Sequence, residues 1–89
     1  MKVHFNKSFK KSYSKRIQPN KNLRKRFEER YDLFVENQSN PILKDHELTG
    51  KMREYRAFSI TGNIRTVYYI YENIAYFVDI GTHNQVYGK

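Results

Sequence analysis

The chain has 89 residues, no cysteine, and a net charge of +8 from 17 Lys and Arg against nine Asp and Glu. That length makes a single domain, residues 1–89, whose small core favours an open face or groove over a deep enclosed cavity. The missing cysteines exclude disulfides and thiolate metal sites, and no apolar run reaches signal-peptide or membrane-spanning length, so a cytoplasmic protein with no membrane partner is expected.

The charge is unevenly spread. Residues 1–30 hold eleven Lys and Arg against two Glu, whereas residues 31–89 hold six cations against seven anions. A basic block of this kind favours a polyanionic partner, because each neutralised phosphate releases a counterion.

Residues 2–5, KVHF, begin as a short strand. Phe5, Phe9, Tyr13 and Ile17 then recur at helical spacing, with Asn6 or Ser8 as the cap. The stretch QPN at 18–20 ends that helix. Leu23, Phe27, Tyr31, Phe34 and Val35 mark a second helical stripe, closed by NQSNP at 37–41, where Pro41 disfavours helix at Asn40. After residue 50 the period changes to two. Strands are expected at 54–60, 63–71 and 74–80, turned at TGN and at EN. The predicted fold is α+β: two N-terminal helices packed on a mainly antiparallel four-stranded sheet, β-α-α-β-β-β.

The chemistry-bearing groups cluster in the second half. Lys44, Asp45 and His46 are consecutive in KDHELTG, followed by Lys51, Arg53 and Arg56. Arg65 lies on the next strand, and His83 and Tyr87 follow the last one in GTHNQVYGK. Arg56 and Arg65 are expected to face one another across the hairpin and form a cationic patch on the open sheet face. These parts suit metal-free RNA cleavage, in which the 2′-OH attacks its neighbouring phosphate. Histidine serves as acid or base near neutral pH. Arginine clamps phosphate oxygens, and tyrosine stacks on bases. No set of His, Asp and Glu has metal-ligand spacing, so neither metal nor other cofactor is expected.

Residues 44–88 resemble the C-terminal half of RelE-superfamily toxins of bacterial type II toxin–antitoxin systems, with the YafQ-like subgroup nearest. The marks are DH-x-L-x-G, then YR, then the Arg-containing IRTVYYI, then G-T-H followed four residues later by an aromatic. The resemblance implies a microbial-RNase-type fold, cleavage of mRNA in the ribosomal A site, and a cognate antitoxin that wraps and blocks the toxin. Carried onto this chain, it implies His46 and His83 as acid and base, in either order, with Asp45 supporting or replacing one of them. It implies Arg65 on the scissile phosphate and Tyr87 against substrate bases. Lys44, Lys51, Arg53 and Arg56 are the expected substrate-binding cations. Lys10, Lys11, Lys15, Lys21, Arg24, Lys25 and Arg26 would then grip ribosomal RNA. KDHELTG is expected to bring an acid–base pair to the rim of the sheet, opposite His83 and Tyr87.

Two positions depart from the YafQ pattern. Ser59 stands where a strand histidine is expected, and Asn63 where a turn carboxylate is expected. Neither does acid–base work near neutral pH, which leaves His46, His83 and the cations as the minimal set. The rival expectations are a ParE-like toxin of the same fold that poisons gyrase, and a non-catalytic RNA-binding domain.

Overall fold

The computed structural model describes residues 1–88. The elements are β1 (Lys2–Phe5), α1 (Lys7–Arg16), α2 (Lys21–Glu36), β2 (His46–Glu47), β3 (Arg56–Ser59), β4 (Ile64–Tyr71), β5 (Ile74–Thr82) and α3 (His83–Tyr87). One-turn 3-10 helices occupy Pro41–Leu43 and Gly50–Met52. The sheet order is β1-β5-β4-β3-β2, with β1 parallel to β5 and the other pairs antiparallel. The α+β class and helix-on-sheet layering are as expected from sequence. The strand count is corrected from four to five, because His46–Glu47 adds a two-residue edge strand to β3. The end of the chain folds into α3, which the alternation of apolar residues does not signal.

Capping chemistry sets the helix ends. The Asn20 side chain accepts from the backbone N–H of Asn22 at 3.0 Å and of Leu23 at 3.1 Å. Those are orphan donors of the first turn of α2. Asn6 occupies the N-cap of α1, but its side chain makes no capping bond. Replacing Asn20 by Ala is expected to cost about 1 kcal/mol, seen as a lower denaturant midpoint at unchanged slope. An unchanged midpoint would mean that packing alone sets the start of α2.

β1 pairs only with the first half of β5, from Lys2↔Ile74 to Phe5↔Phe77. An unpaired half-edge invites pairing with other chains. Here α1 covers it. Ser8 Oγ donates to the Val78 carbonyl at 2.7 Å, and Arg16 Nη1 donates to the Ile80 carbonyl at 3.0 Å. Arg16 also pairs with Asp79 at 3.2 Å.

The two sheet faces differ. One carries the main core, where Phe9, Phe27 and Phe34 of the helices meet Phe58, Tyr68 and Phe77 of the sheet. The Phe34 ring lies 4.7 Å from Phe58, stacked, and 4.9 Å from Tyr68, edge-on. The β4–β5 register slips between Val67 and Tyr68: Val67 pairs with Asp79 and Tyr68 with Phe77, so Val78 is a bulge residue. The slip lets both Phe77 and Ile80 reach the core. The second face is not fully open. Ala57, Val67 and Val86 form a smaller cluster there, flanked by Leu48, Met52, Tyr55, Val78 and Tyr87. The polar groups of that face are therefore gathered around a covered patch.

Candidate active site

Strand alternation separates Asp45 from His46. His46 pairs with Ala57 and Glu47 with Arg56, so His46 shares the second face with Ala57 and Val67, while Arg56 lies on the other face with Phe58 and Tyr68. Asp45 turns to that other face as well. Its Oδ1 accepts from Tyr68 OH at 2.6 Å. Its Oδ2 accepts from Gln38 Nε2 at 3.1 Å and from Arg56 Nε and Nη2 at 3.2 and 3.0 Å. The Asp45 side chain is only 7% exposed. Burial, then the bond to Asp45, pushes the Tyr68 phenol above its ordinary value, so it remains a donor. Asp45 is thus held within the fold, and the expected acid–base pair of neighbours is absent from the rim. Arg56 is likewise engaged, by Asp45 and by Glu47 at 3.4 Å, on the face away from His46. The expected Arg56–Arg65 patch is corrected for the same reason: Arg56 pairs with Tyr68, whereas Arg65 pairs with Ser59.

The His46 Nδ1 lies 3.0 Å from the Lys44 carbonyl, which can only accept, so Nδ1 donates, and in the neutral ring Nε2 is the acceptor. Lys44 takes a left-handed backbone, φ 51°, that presents this carbonyl.

His83 is positioned by α3. Thr82 and Gln85 form a capping box, with Thr82 Oγ1 accepting from Gln85 N at 3.2 Å and Gln85 Oε1 accepting from Thr82 N at 2.8 Å. Gly81 leaves room for the Gln85 and Arg16 side-chain ends. A Cβ there would come within 2.6 Å of Gln85 Oε1 and 2.8 Å of Arg16 Nη1. The His83 ring meets Tyr87, one turn later, edge-on at 4.6 Å.

His46 and His83 line one cleft of about 520 Å³, with Lys51, Met52 and Tyr87. The Tyr87 hydroxyl is buried and has no hydrogen-bond partner among the described residues. Burial pushes its phenol up, against a smaller pull downward from Arg65. It is therefore a protonated donor without an acceptor. Arg65 sits at the end of the same face, its Nη1 donating to the Thr61 and Gly62 carbonyls at 3.2 Å each. With Lys44 and Arg30 it lines a notch of about 110 Å³.

Arg30 was not anticipated from sequence. Its Nη1 donates to the Ile42 and Ser59 carbonyls at 3.2 Å each. Ser59 is buried and Asn63 is exposed in the turn. Arg53 is exposed and lines neither the cleft nor the notch. The helix cations diverge: Lys11 and Lys15 face the second sheet face, Lys10 faces the aromatic side, Arg24 donates to the Gln18 carbonyl, and Arg26 forms an exposed ion pair with Glu29 at 3.9 Å. Lys21 and Lys25 are exposed. Among the described residues, no three His, Asp or Glu side chains come together as a metal site. No helix of the described chain is long and apolar enough to cross a membrane.

Residues 1–88 match the family model described as a bacterial toxin of type II toxin–antitoxin systems, YafQ. The chain belongs to the YafQ toxin family. Membership makes it a type II toxin and an endoribonuclease. YafQ from Escherichia coli superposes with a TM-score of 0.81 over 97% of each chain at 18% identity. The E. coli DinJ–YafQ complex gives 0.78 over 97% of each chain at 19% identity. A metal-bound toxin from Helicobacter pylori gives 0.75 over 98% of this chain and 99% of that one, at 24% identity. At such identities these structures establish the shared fold. No curated protein sequence matches the chain.

Proposed function

We propose that this YafQ-family endoribonuclease cleaves mRNA in the ribosomal A site, without a metal, using His46 as base and His83 as acid. The observation that carries the reading is the single cleft lined by both imidazoles, with Tyr87 on its wall. His46 Nε2, free because Nδ1 is committed to Lys44, takes the 2′ proton. The 2′ oxygen bonds to phosphorus, the P–O5′ bond breaks, and His83 gives its proton to the departing O5′. The products are a 2′,3′-cyclic phosphate and a 5′-OH. Solvent then restores the two imidazoles. Lys51 and Arg65 balance the charge that builds on the phosphorane, and the half-buried Tyr87 ring meets a substrate base. Lys44 joins Arg65 in the notch as a phosphate contact. Asp45 and Arg56 act on the chemistry only by fixing the strand that carries His46. The exposed cations of α2 serve the ribosome. As a single-domain cytoplasmic toxin of charge +8, the chain would be held silent by a cognate antitoxin of complementary charge. DinJ with YafQ is the precedent.

End-group mapping on mRNA in a purified translation system tests this. Cyclic-phosphate ends at A-site codons are expected, and a 2′-deoxy nucleotide at the scissile position should abolish the cut. Ends bearing 5′-phosphate would overturn the mechanism. So would Mn²⁺ rescue of a scissile phosphorothioate, which would bring a metal into the step. Intact mRNA with gyrase inhibited would move the protein to the ParE-like reading. A 5′-thio leaving group, which needs no general acid, should restore cutting to His83→Gln and leave His46→Gln slow. The reverse pattern would exchange the two roles.

A further inference from the structure

A second cleft, of about 590 Å³, opens beside the histidine cleft. Met52 and Tyr87 line both, so the two are continuous on one sheet face. Val78 and Met52 line it with apolar surface above the buried Val67 and Val86, Tyr55 adds an aromatic ring, and α1 supplies Ser8, Lys11, Ser12 and Lys15. Arg16 and Asp79 also border it, but they neutralise one another at 3.2 Å. Neither Lys11 nor Lys15 takes part in an ion pair among the described residues. The free charge of the cleft is therefore positive. From sequence, these two lysines are expected to grip ribosomal RNA with five other helix cations. The fold separates them from that group, because α1 lies along the free half-edge of β5 and turns them toward the site.

We propose that this cleft holds a nucleotide of the mRNA flanking the scissile phosphate. Its base would lie against Met52, Val78 and Tyr55, and its phosphates on Lys11 and Lys15. The inference rests on reading the histidine cleft as the cutting site. The match is chemical: apolar and aromatic surface for a base, two cations one helical turn apart for backbone phosphates, and a volume within the roughly 300–1,000 Å³ of ligand clefts. Continuity with the histidine cleft favours the same RNA strand over a separate ligand.

The test uses the full chain carrying His83→Ala, and a short 2′-O-methyl single-stranded RNA labelled with fluorescein. Anisotropy is followed across a KCl series. Each phosphate contact on a single strand contributes ~0.7 to the slope of log K against log salt, so Lys11→Gln with Lys15→Gln should lower it by ~1.4. The pair Lys21→Gln with Lys25→Gln on α2 should leave it unchanged. With His83 intact, the α1 pair should raise the mRNA concentration for half-maximal cutting while preserving the cut positions and kcat. Thermal melts of the variants should coincide, since both lysines are exposed. Equal slope losses for the two pairs would overturn the cleft as a site. An unchanged RNA slope with weakened ribosome binding would return the lysines to ribosomal RNA, and an unchanged slope with weakened antitoxin binding would give them to the antitoxin. If the wild type cuts nothing while the α1 slope still falls, the cutting-site reading fails and RNA binding in this cleft survives. Unchanged slopes with normal cutting would sink the cleft alone.

Discussion

His83→Ala is expected to slow A-site cleavage by roughly 10²–10⁴-fold, the usual worth of a positioned general acid or base. Primer extension in a purified translation system reads it directly. The change should fall on kcat, with ribosome affinity unaltered. The structural risk is small. His83 is exposed, and α3 is held by the Thr82–Gln85 capping box and by the buried Val86. The edge-on meeting with Tyr87 at 4.6 Å goes, worth about 0.5–1.5 kcal/mol. His83→Phe restores an aromatic ring there without proton chemistry. If Phe rescues cutting, His83 acts by packing Tyr87 and the acid must be sought in Lys51, which shares the cleft. If Phe fails as Ala does, the proton belongs to His83.

Which parts of this site were legible in the sequence follows from how local their causes are. The helix stripes around Phe9 and Phe27, and the strand alternation around Phe58 and Val67, are set by short-range periodicity, and they led directly to the α+β layering. His46 and His83 stand out only through the motifs that surround them, and the fold brings them to one cleft. The capping box that builds α3 was present as Thr82-x-x-Gln85, but five residues are too few for an apolar period to announce a helix. The two-residue strand β2 was beyond reach, since its existence depends on pairing with β3. With β2 missed, the alternation that parts Asp45 from His46 was missed as well. Adjacent charges in sequence read as one cluster. A strand sends neighbours to opposite faces. The bulge at Val78 was hidden for a related reason: register belongs to the pair of strands, and β5 alone does not reveal it. Arg30 gave no local sign of its role, because its partners Ile42 and Ser59 come from distant parts of the chain.

Asp45 gives the sharpest separation between fold and chemistry. Asp45→Ala is expected to destabilise the protein by about 3 kcal/mol, toward the low end for breaking a buried ion pair. The low end applies because Arg56, at 31% exposure, regains water once its partner is lost. Tyr68 and Gln38 lose their acceptor at the same time, which adds to the cost. For a domain of this size the melting temperature should fall by roughly 12–24 °C, at ~4–8 °C per kcal/mol. Asp45→Asn keeps the shape and one acceptor oxygen, so its fall should be smaller. Both variants should still cut mRNA at a temperature where they are folded, because His46 keeps its own bond to the Lys44 carbonyl. A catalytic carboxylate predicts the opposite pattern: Asp45→Asn would melt normally and lose cutting by orders of magnitude. Melting curves and primer extension on the same preparations decide between the two. Early melting with activity preserved would place Asp45 as the pin that holds β2, and with it His46, against the sheet. Normal melting with activity lost would return the carboxylate to the reaction and require β2 to turn it toward the cleft when RNA binds.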